Sequence, residues 1–134
     1  MPASTQPPAL RAWHALVRAA DPASLATLLA EDAVFFSPVV HTPQVGRHIV
    51  QRYLSAAIGL LANDAFRYTR ELVEPMGAVL EFEGQLGDTY VNGVDLIRWN
   101  DAGQITEFKV MLRPLRAVQL VQQLMAGAMG HPPA

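Results

Sequence analysis

The chain has 134 residues, of which 51% are hydrophobic and 16% are charged, and its net charge is −2. This length and composition predict one globular domain with a continuous core, and they exclude a long disordered, highly charged protein. The chain has no run of Lys or Arg, which argues against nucleic acid as the main partner, and the absence of cysteine excludes disulfides, thiol catalysis and cysteine-based zinc sites.

The periodicity of apolar residues predicts helices first and strands afterwards. The predicted elements are a helix over 9–20, a second helix after Asp21-Pro22, a short strand over 33–36, a loop over 37–45, a third helix from Gly46, strands over 66–74, 78–85, 90–99 and 104–113, and a helix from Pro114. Strands grouped after helices indicate an α+β fold. We therefore expect a cone-shaped, curved antiparallel sheet wrapped by the N-terminal helices, with a C-terminal helix and a pocket on the concave side.

The chain ends and its hydropathy bear on domain limits and location. One domain is predicted over 9–127, with flexible tails at 1–8 and 130–134, where proline is frequent. No signal sequence is recognisable at the start, and the longest strongly apolar stretch, 53–62, is about half as long as a membrane helix. The prediction is a cytoplasmic protein without a membrane partner.

Two segments resemble a known superfamily. The stretch from Val91 to Ile105, which includes the turn Asn100-Asp101-Ala102-Gly103, resembles the signature hairpin of nuclear transport factor 2-like proteins. The stretch from Leu25 to Tyr53 is similar to that superfamily too, with a helix, an acidic turn, a short strand, a proline-containing loop and a helix after Gly46. The superfamily includes ketosteroid isomerases and SnoaL-like polyketide cyclases. The resemblance covers about 10–114 and implies a cystatin-like, cup-shaped fold, although this fold hosts enzymes and non-enzymes alike.

The resemblance also identifies positions that correspond to the catalytic residues of ketosteroid isomerases. Those enzymes bind the enolate oxygen with a Tyr and a protonated Asp, and a second Asp moves the proton. Here the corresponding residues are Trp13, Asp95 and Ser37, and Tyr53 corresponds to an aromatic residue that lines the pocket. Two of the three catalytic residues differ, so steroid isomerisation by that mechanism is not expected. Limonene epoxide hydrolases, which share the fold, would carry an acid where this chain has Val110.

Asp95 is the main candidate for a functional residue. It lies between Val94 and Leu96 in an apolar strand and shares a face with Gly93 and Ile97. A buried carboxyl without a partner is rare, which favours a pocket acid that binds or protonates a ligand. The alternative is a structural Asp paired with a buried Arg or Tyr.

Other residues are expected to complete the pocket. Tyr53 could supply a hydroxyl group, or it could simply pack on the core; His41, in the loop near the predicted mouth, is a replacement base or a solvated loop residue. The expected ligand-binding residues are Trp13, Ser37, Leu80, Phe82, Ile97, Val110 and Leu112. No spacing of His, Asp and Glu predicts a metal site, and no motif predicts an organic cofactor.

The opposite face of the strands has its own pattern. Glu81 and Glu83 alternate with the wall residues, and we expect them to meet Lys109, Arg98 or Arg113 across strands rather than to act as a catalytic pair. Val94, Leu96 and Met111 would leave apolar surface on that face, which predicts a homodimer.

Three functions fit this pattern. The first is a cup that binds a small apolar steroid-, terpene- or polyketide-like compound and acts as an isomerase, cyclase or dehydratase through Asp95. The second is a non-catalytic ligand-binding or dimerisation module of the same fold. The third, a module that binds another protein, would need an apolar patch displayed on the outer surface. A second titratable group near Asp95 would distinguish the first function from the second.

Overall fold

The computed structural model describes residues 6–130, so most of both predicted tails lies outside the described residues. The helices are α1 (Pro8–Ala19), a 3₁₀ turn (Pro22–Ser24), α2 (Leu25–Leu28), α3 (Arg47–Leu61) and α4 (Leu115–Met129). The strands are β1 (Leu29–Phe36), β2 (Gln44–Val45), β3 (Arg67–Glu74), β4 (Gly77–Leu86), β5 (Thr89–Trp99) and β6 (Ile105–Arg113). Among the described residues, no helix combines the length and apolar character needed to cross a membrane.

The six strands form one curved, unclosed mixed sheet in the order β2-β1-β6-β5-β4-β3. Strands β3 to β6 are an antiparallel meander, as expected from their spacing and turns. β1 joins this meander by pairing in parallel with the last strand, so that Val34 lies beside Glu107 and Phe35 beside Phe108. The α+β class and the C-terminal helix were both predicted correctly.

Some element limits differ from those expected. The predicted second helix is only a 3₁₀ turn followed by one α-helical turn, because the chain becomes extended at Leu29. β1 therefore begins four residues before the predicted start at Ala33. The predicted loop over 37–45 contains the two-residue strand β2, which is too short to show a periodic pattern. α1 begins at Pro8, one residue inside the predicted tail.

Alternation along the long strands separates an inner face from an outer face. On β4, Ala78, Leu80 and Phe82 are buried, while Glu81 and Glu83, which alternate with them, are partly exposed. The helices cover the inner face with a continuous apolar core that includes Trp13, from α1, and Leu54, from α3. The candidate site therefore lies between the inner face of the sheet and the helices that cover it.

Candidate functional site

An apolar cavity lies between the inner face of the sheet and the helices. Its volume, counted as the space that the centre of a water molecule can occupy, is about 60 Å³. It is lined by Trp13, Val17, Phe35, Ser37, Pro38, Val39, Leu54, Ala57, Ile58, Leu60, Leu61, Ala62, Phe66, Tyr68, Phe82, Asp95, Phe108, Val110, Leu112, Val121 and Met125. Almost all of these side chains are aliphatic or aromatic, so a ligand finds few polar groups that could orient it.

Among the described residues that line this cavity, Asp95 is the one with a carboxyl group. It lies in the middle of β5, opposite Leu80 of β4 and Val110 of β6, and only 5% of its surface is exposed. Period-two alternation turns its side chain inward, on the same face as Gly93. Both flanking strands are apolar at this level, so the carboxyl group depends on partners that come from other elements.

Those partners form a chain of hydrogen bonds from α1 through β3 to β5. The Trp13 indole Nε1–H donates to the Tyr68 hydroxyl oxygen at 2.9 Å, and the Tyr68 hydroxyl donates to Asp95 Oδ2 at 2.7 Å. An indole has one N–H and a tyrosine side chain has one O–H, so both donors are already used in these two hydrogen bonds. Within residues 6–130, Asp95 Oδ1 has no hydrogen-bond partner, which leaves this oxygen for a ligand.

Burial of these hydrogen-bonded side chains shifts the pKa values of Asp95 and Tyr68. Loss of solvation raises the pKa of Asp95 from its ordinary value of 3.8 to about 7, and the hydrogen bond from Tyr68 opposes part of that rise. The pKa of Tyr68 is raised well above its ordinary value of 10.0 by burial and then by the nearby Asp95. Tyr68 therefore stays a neutral donor, whereas Asp95 exchanges its proton close to neutral pH.

Gly93 gives the cavity its shape beside Asp95. A Cβ atom at this position would approach the Phe82 ring to 2.6 Å, Leu112 Cδ2 to 2.7 Å and the Met111 carbonyl oxygen to 2.7 Å. The absence of a side chain lets Phe82 and Leu112 approach each other across β5. Both residues line the cavity next to the carboxyl group.

The structure brings together six of the residues expected at the site. Asp95, Trp13, Ser37, Phe82, Val110 and Leu112 all line the cavity. Leu80 and Ile97 share the inner face but are fully enclosed in the core, at 0% and 3% exposure. Ile97 lies on the opposite side of Asp95 from Gly93, so it packs beyond the cavity rather than into it.

Tyr53 and His41 do not reach the cavity. The Tyr53 ring packs against the Phe35 ring, with 5.5 Å between their centroids, because its position on α3 points to the side of β1. His41 is exposed in the loop before β2. As placed here, neither residue can act directly on a group beside Asp95.

Tyr68 is the functional candidate that the sequence pattern did not single out. It lies two residues after Phe66, so period two places both aromatic side chains on one face, and the sequence contained that signal. Its pairing with a residue 27 positions away could not be read from local spacing. On its outer side the Tyr68 ring meets the His14 ring edge-on at 5.2 Å, and His14 Nε2 lies 3.0 Å from Glu71 Oε2.

Glu81 and Glu83 face outward, but their cationic partners differ from those expected. Arg67 pairs with Glu83 at 2.9 Å and Arg70 pairs with Glu81 at 3.3 Å. Both arginines lie on β3, and the β3–β4 register places them directly opposite the two glutamates. The expectation of Lys109, Arg98 or Arg113 as partner was wrong, and Arg113 donates to Asn92 instead.

The described part of the chain contains no cluster of three or more His, Cys, Asp or Glu residues that could hold a metal ion. The polar groups of the cavity include a carboxyl group whose pKa is raised to about 7, the donors that hold it and the hydroxyl group of Ser37, all set in an apolar wall. Such a site can donate a proton or a hydrogen bond to an oxygen atom, or accept one from it.

Comparisons with known proteins agree with this architecture. The family model described as SnoaL-like domain matches residues 10–108. A steroid delta-isomerase from Pseudomonas aeruginosa is 35% identical with a TM-score of 0.80, over 91% of this chain and 86% of that one. An uncharacterised protein with a cystatin-like fold from Silicibacter pomeroyi DSS-3 is 30% identical with a TM-score of 0.80, over 93% and 84% of the two chains.

A more distant structure supports the fold alone. It is an epoxide hydrolase/cyclase-like enzyme of pyran ring formation in salinomycin, 15% identical with a TM-score of 0.63, over 78% of this chain and 88% of that one. No curated protein matches the sequence significantly. The family model covers most of the chain, so the protein belongs to the SnoaL-like domain family, within the nuclear transport factor 2-like superfamily.

Proposed function

We propose that this protein binds a small, mostly apolar compound with one oxygen that accepts a hydrogen bond, and that Asp95 is the acid that meets this oxygen. The reaction class would be an isomerisation, cyclisation or dehydration. The observation that carries the proposal is the free Oδ1 of a buried carboxyl group, held at the wall of an apolar cavity with a pKa of about 7.

The direction of the hydrogen bonds supports the role of acid. Because Tyr68 donates to Oδ2, a proton on Asp95 resides on Oδ1, the oxygen without a partner among the described residues. A neutral carboxyl group can then donate to a carbonyl or ether oxygen, and transfer of its proton would leave a carboxylate that Tyr68 stabilises. The donors of Trp13 and Tyr68 thus act on the ligand only through Asp95.

A second polar group on the wall is Ser37. Its Oγ accepts the Val39 backbone N–H at 3.1 Å, and its own hydroxyl hydrogen remains available to a ligand. Ser37 corresponds by resemblance to the catalytic base of the isomerases, and a serine cannot take that role unaided at neutral pH. The similarity to a steroid delta-isomerase therefore supports an apolar ligand with an oxygen atom more than it supports the same proton-transfer mechanism.

One observation favours a second candidate, a binding protein without catalysis. Among the described residues that line the cavity, Asp95 and Tyr68 are the titratable ones, and Tyr68 is held as a neutral donor. A reaction that needs a separate acid and base would lack one of them. Binding of an oxygen-containing ligand by Asp95 is common to both candidates.

Binding of a neutral ketone is expected to depend on pH through Asp95. For 2-decalone, the Kd should stay constant below about pH 7 and rise tenfold per pH unit above it, because only the protonated carboxyl group donates to the carbonyl. Isothermal titration calorimetry between pH 5 and 9 measures this, with decalin as the control that lacks the oxygen. Asp95→Asn should abolish the pH dependence.

Two outcomes would contradict the proposed ligand class. One is ketone binding whose pH profile is the same in the wild-type protein and in Asp95→Asn. The other is stronger thermal stabilisation by sugars or nucleotides than by apolar ketones, since the wall offers them few polar partners.

We also propose that the outer sheet face forms a homodimer. On that face Met111 is 51% exposed, and Val94 and Leu96 are partly exposed beside it. Light scattering at 10 µM should give twice the chain mass of 14.6 kDa. Leu96→Glu should produce a monomer, whereas Leu115→Glu, at an exposed position of α4, should not. A monomeric wild-type protein at this concentration would refute the dimer.

A further inference from the structure

We infer that the cavity accepts compact ligands of one or two rings and that Val121 and Met125 of α4 set this limit. The inference deepens the proposed function and rests on it, since it concerns the ligand that meets Asp95. It assigns a role in ligand selection to α4, which contributes no hydrogen bond to the Trp13–Tyr68–Asp95 chain.

The first argument is the size of the cavity. A single water needs roughly 10–15 Å³ of space open to its centre, so the 60 Å³ found here corresponds to about four to six water-sized groups. Carbon atoms bonded to one another lie closer together than waters do, so one ring, or two fused rings with small adjustments, matches this space. A four-ring ligand exceeds this space, so it would have to displace part of the wall or leave rings outside the cavity.

The second argument is that α4 contributes wall residues that lie outside the continuous core. Phe82, Phe108 and Leu54 line the cavity and also belong to the continuous hydrophobic core. Val121 and Met125 are buried, at 4% and 8% exposure, but they lie outside that cluster. Shortening them therefore enlarges the cavity while the core packing of sheet, α1 and α3 remains.

The third argument concerns the place of the polar contact. Asp95 lies in the middle of the central strand β5, and its free Oδ1 must meet the ligand oxygen. A bound ligand then extends from Asp95 between the aromatic wall and the helices, including α4. The side-chain length of Met125, which is flexible and unbranched, decides how far the ligand can extend.

The test is a series of ketones of increasing size at pH 6, where Asp95 is mainly protonated: cyclohexanone, 2-decalone and the four-ring ketone 5α-androstan-3-one. Calorimetry, with each compound kept below its solubility limit, gives the Kd values. In the wild-type protein we expect 2-decalone to bind at least tenfold more tightly than the four-ring ketone. Met125→Ala should tighten binding of the four-ring ketone at least fivefold and change the Kd for 2-decalone by less than threefold.

The matched control is Leu124→Ala, a truncation at the neighbouring position of α4, which is partly buried and does not line the cavity. It should leave the size preference unchanged. If Met125→Ala fails to fold, Val121→Ala provides the same comparison, and the wild-type series stands without either variant. Equal or tighter binding of the four-ring ketone by the wild-type protein would overturn the inference. Failure of all three ketones to bind would instead refute the proposed function.

Discussion

Replacing Asp95 with Asn is expected to remove a pH dependence of stability on the order of 4 kcal/mol. The pKa of this carboxyl group rises from 3.8 to about 7 on burial, and each pH unit corresponds to about 1.4 kcal/mol. Asn has nearly the same shape, and its carbonyl oxygen can still accept the Tyr68 hydroxyl. The variant should therefore fold.

The sign of this effect follows from proton binding. Between about pH 4 and pH 7 the folded protein holds a proton on Asp95 that the unfolded chain has lost, so the wild-type free energy of unfolding falls as pH rises through this window. Below pH 4 the contribution is fully present, and above pH 7 it is lost. Urea unfolding at pH 4.5 and pH 8 should show Asp95→Asn gaining roughly 3 kcal/mol relative to wild type between the two conditions.

The control for this experiment is Asp88→Asn, in the exposed turn between β4 and β5. Its free energy of unfolding should parallel that of the wild type across the pH range. If Asp95→Asn also parallels the wild type, or if carbon-13 NMR gives Asp95 a midpoint below its ordinary value of 3.8, the carboxyl group is ionised throughout and is not a pocket acid.

Tyr68→Phe is expected to disturb the site in two ways. The pKa of Asp95 should rise further above its value of about 7, because the hydrogen bond from Tyr68 is the influence that lowers it. The Trp13 indole N–H would also lose its acceptor in a buried position, which costs roughly 1–3 kcal/mol. Carbon-13 NMR titration of Asp95 and urea unfolding measure the two effects.

A matched control for that variant lies on the outer sheet face. Tyr90 also donates to a carboxylate, Glu83, at 2.7 Å, but both residues are accessible to water there. Tyr90→Phe should leave the Asp95 midpoint and the stability nearly unchanged, since water replaces the lost partner. An Asp95 midpoint that falls in Tyr68→Phe would show that the hydroxyl does not stabilise the carboxylate.

The fold was predictable from sequence because its signals are local. Alternation along β4 and β5 places Phe82 and Asp95 on the inner face, and the turn at Asn100–Gly103 fixes the last hairpin, where Asn100 Oδ1 accepts two backbone N–H groups. The class of the fold follows from these patterns and does not require knowledge of which elements become neighbours. The inward direction of Asp95 was implied by the resemblance to the superfamily, because alternation shows which residues share a face but not which face is covered.

The remaining details of the site depend on contacts between distant parts of the chain. The partner of Asp95 is Tyr68, across two strand pairings, and no spacing rule selects it over an arginine. The positions of Leu80 and Ile97 also depend on such contacts, because both point inward as expected but pack in the core without lining the cavity. Whether an inward residue lines a cavity is decided by how the curved sheet and the helices meet, and residue alternation does not contain that information.

The parallel pairing of β1 with β6 has a consequence for the order of folding. The meander β3 to β6 joins strands that are neighbours in sequence, whereas Val34 pairs with Glu107, which lies 73 positions further along the chain. Closing the segment between β1 and β6 costs more conformational entropy than forming a hairpin, so we expect the meander to form before β1 docks. Phe35 and Ser37, which close one side of the cavity, arrive with β1. During synthesis the inner face of the growing sheet therefore stays open to other apolar surfaces until the final strand has been made.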